Sequence, residues 1–181
     1  MNRKTLTTVF LFLTATVLFA QKTISRDLRV GLVMQQTQYL YNENGVGLDY
    51  TCERLLDKKI HIKASYLTSR LGSAIGTNAL KQDYLVLGAH YYFFSKKSLQ
   101  VLAGLNTGLF VVDYENPAFD ILPKSSAILA VETGLQYDFK LPITASLTAG
   151  YNVRSGNGVD IPGSLFPVFY KLSIMYRFNN L

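Results

Sequence analysis

Imidazole is the side chain best suited to moving a proton near neutral pH, and the chain carries two, His61 and His90. To cleave an ester or amide, one of them would have to hold a serine hydroxyl within hydrogen-bond reach. On an extended strand the residue two positions away shares the same face. The neighbours at that spacing are Lys59 and Lys63 for His61, and Gly88 and Tyr92 for His90. Neither is a serine, so both histidines are expected to be hydrogen-bonded interior residues, and no catalytic residue is assigned. Cys52 is the single cysteine; it can form no intrachain disulfide and no cysteine-based zinc cluster, and is expected to serve as a small apolar side chain. A transition-metal site would need carboxylates gathered from separate segments, and none is assigned. The acidic run Asp113-Tyr-Glu-Asn-Pro-Ala-Phe-Asp120 lacks the glycine-bearing spacing of an EF-hand loop. The glycines of Gly156-Asn-Gly158-Val-Asp160-Ile-Pro-Gly163 lack the strand-to-helix context of a phosphate cradle. Both read as loops, and no cofactor is called for.

The charged residues are more informative, because they fall on one parity. Asp49, Glu53, Glu132 and Asp138 share it with Arg29, Lys63, Arg154, Lys171 and Arg177, opposite the apolar positions of their own segments. Only elements of period two can place them so. Composition points the same way. Hydrophobic residues make up 49% of the chain and charged residues 17%, against about 25% charged in soluble domains. Twelve Tyr and 11 Phe with no Trp suit a boundary between an apolar and a wet phase. The formal charge is +6; setting aside Arg3 and Lys4 of the leader, 16 of the 18 basic residues stand against 12 acidic ones. They are scattered through every segment, which argues against a nucleic-acid partner.

Residues 1–20 have the grammar of a secretory signal peptide. Arg3 and Lys4 precede an apolar run from Leu6 to Phe19, and Ala20 precedes Gln21-Lys22. The run is too short for a comfortable membrane-spanning helix, which needs about 20 apolar residues. Cleavage after Ala20 is expected, leaving 21–181 as one domain. No cysteine follows the cut, so no lipoprotein anchor is expected.

Alternation then fills the mature chain. In Ile143 to Arg154 the odd positions are Ile, Ala, Leu, Ala, Tyr and Val, and the even ones are Thr, Ser, Thr, Gly, Asn and Arg. Ala127 to Phe139, Val46 to Glu53, Ile60 to Ser69, Asp83 to Phe94 and Leu99 to Val112 repeat the pattern; Ser25 to Gln36 and Phe166 to Phe178 open and close the series. This predicts an all-β fold, an eight-stranded antiparallel up-and-down barrel with its apolar face toward lipid. Three connections read as tight (Leu55 to Lys59, Ser95 to Ser98, Lys140 to Pro142) and four as longer (Thr37 to Gly45, Arg70 to Gln82, Asp113 to Ser126, Ser155 to Leu165). Outer-membrane barrels keep short turns periplasmic and long loops outside. A lipocalin-type barrel would turn its apolar set inward.

In the last segment Tyr170, Leu172, Ile174, Tyr176 and Phe178 form an apolar ladder ending in an aromatic, alternating with Lys171, Ser173, Met175 and Arg177. From Gln21 to Phe178 the chain resembles the small outer-membrane β-barrel proteins of the OmpA/OmpX-like superfamily. The resemblance implies bacterial outer-membrane location, contact with outer-membrane lipid, and recognition of the closing ladder by the barrel-assembly machinery; this chain adds Asn179, Asn180 and Leu181 after the aromatic. No peptidoglycan-binding domain is expected. A barrel of eight strands is just wide enough for its side chains to fill, so the luminal charges are expected to pair in a buried network. The leading functional expectation is a non-enzymatic structural or surface-interaction protein whose extracellular ligand the sequence does not name. A narrow channel or transport-accessory barrel is the alternative, and a lipid-modifying enzyme the third.

Overall fold

The computed structural model describes residues 26–37, 41–72, 78–96, 98–114, 124–155 and 168–179. Eight antiparallel strands close on themselves in sequence order: β1 Arg26–Thr37, β2 Tyr41–Cys52, β3 Ile60–Gly72, β4 Asn78–Lys96, β5 Leu99–Tyr114, β6 Ser125–Asp138, β7 Ile143–Ser155 and β8 Val168–Asn179. Closure is made by β1 against β8, from Asp27 opposite Asn179 to Thr37 opposite Phe169. Among the described residues every strand pairs with a neighbour on each side, so the sheet has no free edge strand.

The two faces follow from the period. Leu32, Leu85, Leu105, Leu109, Leu147 and Val153 lie on the outer face, each more than half exposed. The outside is therefore an apolar belt, with aromatic pairs such as Tyr137–Phe139 and Tyr176–Phe178 packed edge to face at its tight-turn end. Inside, Val33, Leu67, Tyr84, Phe110, Val112, Ile128, Ala130, Phe169 and Met175 form an apolar plug. Polar and charged residues fill the rest of the lumen, at both ends of the barrel.

The strands are longer than the alternation suggests, and this corrects the reading of the connections. β2 begins at Tyr41 and β4 at Asn78, so Thr37 to Gly45 and Arg70 to Gln82 are mostly strand. Only 38–40 separate β1 from β2, and 73–77 separate β3 from β4. Three residues there are fewer than the seven between Cys52 and Ile60 at the other end, so connection lengths do not alternate strictly. The long connections that remain, 115–124 and 156–167, lie at the same end of the barrel. The physical reason is that backbone pairing continues past the apolar belt, where outward positions carry Gln36, Asn42 and Asn44 and hydropathy no longer alternates. The turn after β2 holds Leu56, Asp57 and Lys58 at φ 49°, 53° and 63°, a left-handed run that non-glycine residues adopt only at a cost. Lys58 is fixed there by Asp27, 3.1 Å away. The leader 1–20 and the boundary after Ala20 lie outside the described residues.

Candidate functional site: an ion-paired lumen

Strand register builds two charged clusters inside the barrel. Nearer the tight turns, Asp49 stands opposite Arg29 of β1 and opposite Lys63 of β3. Arg29 Nη1 is 3.3 Å from Asp49 Oδ2, and His61 Nδ1 is 2.8 Å from Asp49 Oδ1. The same His61 Nδ1 lies 3.4 Å from Arg29 Nη1, so the three side chains form one cluster. Tyr92 covers the His61 ring at 4.1 Å between centroids and donates its hydroxyl to Gln136.

One step along the lumen, Glu132 is held from two sides. Its Oε1 lies 2.5 Å from His90 Nε2, and its Oε2 accepts from Lys171 Nζ at 2.7 Å. The local reason is a glycine. His90 of β4, Gly104 of β5 and Glu132 of β6 are consecutive partners in register, and a Cβ on Gly104 would lie 1.8 Å from His90 Cδ2. The missing side chain lets the imidazole reach across β5 to the carboxylate. Gly150 works likewise, since a Cβ there would meet the Phe169 ring at 2.1 Å.

A third carboxylate, Glu43, lies in the segment that the alternation reads as a loop, Thr37 to Gly45, and the strand β2 carries it into the interior. It is buried, accepting 2.5 Å from Gln35 Nε2 and 2.7 Å from Tyr84 Oη. The signal available was the polar parity continuing from Asp49 back through Gly47 and Gly45 to Glu43.

The other charged residues distribute as follows. Asp138 sits at the tight-turn rim, accepting from Thr144 at 2.7 Å, with Arg177 3.9 Å away. Lys63 lies over the Tyr92 ring at 5.6 Å; it does not reach Glu132. Glu53 is not luminal: β2 ends at Cys52, and Glu53 is exposed in the following turn. A bulge shifts the register of β6 against β7, pairing Leu129 with Arg154 and Ala130 with Asn152; the Arg154 side chain lies outside those described. The ladder Tyr170, Leu172, Ile174, Tyr176 and Phe178 is exposed along the outer face of β8.

Among the described residues, cavities of about 30 and about 20 Å³ interrupt this packing. Each is sized for roughly one water. His61 and His90 are 3% and 1% exposed, so neither imidazole is presented to the outer surface. Among the described residues no group of three His, Cys, Asp or Glu is arranged to hold a metal ion.

The architecture is that of the small eight-stranded outer-membrane barrels. It is similar to the N-terminal β-barrel domain of Pseudomonas aeruginosa OprF, at 14% identity over 87% of this chain and 100% of that one, with a TM-score of 0.61. It is also similar to P. aeruginosa outer membrane protein H, at 14% identity over 84% and 99% of the two chains and a TM-score of 0.56, and to neisserial surface protein A, at 15% identity over 88% and 98% and a TM-score of 0.54. At these identities the likeness is one of fold. No protein-family model and no curated protein matches the sequence.

Proposed function

We propose that this protein is an integral protein of the bacterial outer membrane whose barrel is a closed, non-catalytic membrane scaffold, with the connections 115–124 and 156–167 facing outward. The observation that carries this reading is the inversion of the two faces. Apolar side chains more than half exposed surround an interior in which buried ions are paired, an arrangement suited to hydrocarbon outside. The small size of the luminal cavities among the described residues supports a lumen that acts as packing and not as a passage. The ladder ending at Phe178 is the expected handle for the barrel-assembly machinery, and residues 1–20 the expected export signal. The test combines membrane fractionation with recording in planar bilayers. Recovery in the outer-membrane fraction without steady conductance is the expected result. Steady single-channel currents would replace this reading with the narrow channel, and recovery in the soluble fraction would overturn it altogether.

A further inference from the structure

Among the luminal cations whose side chains are described, Arg29 faces Asp49 and Lys171 faces Glu132, each within 4 Å. Lys63 is the exception: half-buried, it has no carboxylate within that distance among the described residues, and its named contact is the Tyr92 ring. Asp49 is its register neighbour, but that carboxylate is already held by Arg29 and His61. A cation in a low-dielectric interior needs a counter-charge or a solvating shell.

Beside Lys63 lies the cavity of about 20 Å³, whose wall includes His90, Asn106, Glu132, Thr148 and Lys171. Two side chains there, Asn106 and Thr148, are each 4% exposed. Asn106 Nδ2, Thr148 Oγ1 and both ring nitrogens of His90 have no hydrogen-bond partner. An amide nitrogen can only donate and a hydroxyl can donate, while Glu132 accepts from Lys171 at Oε2 and its Oε1 lies against His90 Nε2 without hydrogen-bond geometry. The cavity thus offers the Lys63 ammonium and free donors, with its carboxylate paired to Lys171. Its volume admits one water-sized particle, too little for phosphate, sulfate or a carboxylate.

We propose that this cavity is a binding site for a single halide ion, held by Lys63, Asn106 and Thr148. A spherical monovalent anion satisfies donors converging from several strands and places a counter-charge beside Lys63, whose register neighbour Asp49 is shared with Arg29 and His61. The site depends on the closed lumen alone, so it stands or falls separately from the membrane location.

The full-length protein, purified in detergent, is titrated with sodium chloride or bromide against sodium gluconate at constant ionic strength, reading the thermal unfolding midpoint. The expected result is a midpoint that rises and saturates with either halide but not with gluconate. The rise is lost in Lys63→Gln, weakened in Thr148→Val, and kept in Lys140→Gln, which alters an exposed turn. Crystals grown in bromide should show an anomalous peak in the cavity. An identical halide response in Lys63→Gln, an equal response to gluconate, or a water without anomalous signal at that position would each overturn the proposal. If Lys63→Gln does not fold, Thr148→Val and the bromide crystals decide it.

Discussion

Replacing Glu132 by glutamine keeps the size and much of the hydrogen-bonding capacity of the side chain and removes its charge. The carboxylate side chain is 2% exposed and that of its partner Lys171 12%, so little solvent screens the ammonium left behind. Removing one member of such a buried pair typically costs about 3–5 kcal/mol. At roughly 2–4 °C per kcal/mol for a chain of this size, the unfolding midpoint should fall by about 6–20 °C. Glu43 lines the same cavity as Lys171, but it is held by Gln35 and Tyr84 and could replace Glu132 only by giving up those bonds. The double variant Glu132→Gln/Lys171→Met removes both charges and should recover at least half of the loss, because the penalty belongs to the unpaired ion and not to the missing contact. The assay is thermal or urea unfolding in detergent, with planar-bilayer recording of the same samples. A single-variant loss below about 1 kcal/mol would mean that water screens the pair. Additive losses in the double variant would mean that the two groups do not interact, and either outcome refutes the account of a packed, ion-paired lumen.

Three further outcomes follow from the same geometry. Leu147→Arg, in the middle of the belt, should destabilise insertion into lipid vesicles by roughly 2–4 kcal/mol, while Tyr137→Arg near the tight-turn end should cost about 0–1; refolding titrations of the two variants check the depth dependence. Gly104→Ala should lower stability by about 1–3 kcal/mol through its clash with the His90 ring, and the loss should shrink in a His90→Ala background, measured by a double-mutant cycle. Leu56→Gly should raise the unfolding midpoint, since it relieves a left-handed residue at φ 49° that is exposed and packs against little; a lowered midpoint would show that the turn is held by more than local conformation.

The sequence alone determined the number of strands, their order and which parity faces out. That information is local: each side chain alternates with its neighbour, and hydrocarbon on one side selects against polar residues at every second position. It did not determine where strands end. Residues 41–45 pair as strand although the outward Asn42 and Asn44 are polar, and 78–82 pair as strand as well, because backbone hydrogen bonds form without regard to the side chains' polarity. Parity placed Asp49, Glu132, Lys63 and Lys171 on one face, but which of them meet depended on shear and on glycine. Glu132 reaches His90 because Gly104 stands between them without a side chain, and it reaches Lys171 over β7, two strands away. Glu43 joined the interior once β2 was seen to extend to Tyr41, and Glu53 left it because the same strand stops one residue short. Such contacts are fixed by closure of the barrel, which sets every strand's offset against the other seven at once, and no single segment carries that offset in its own residues.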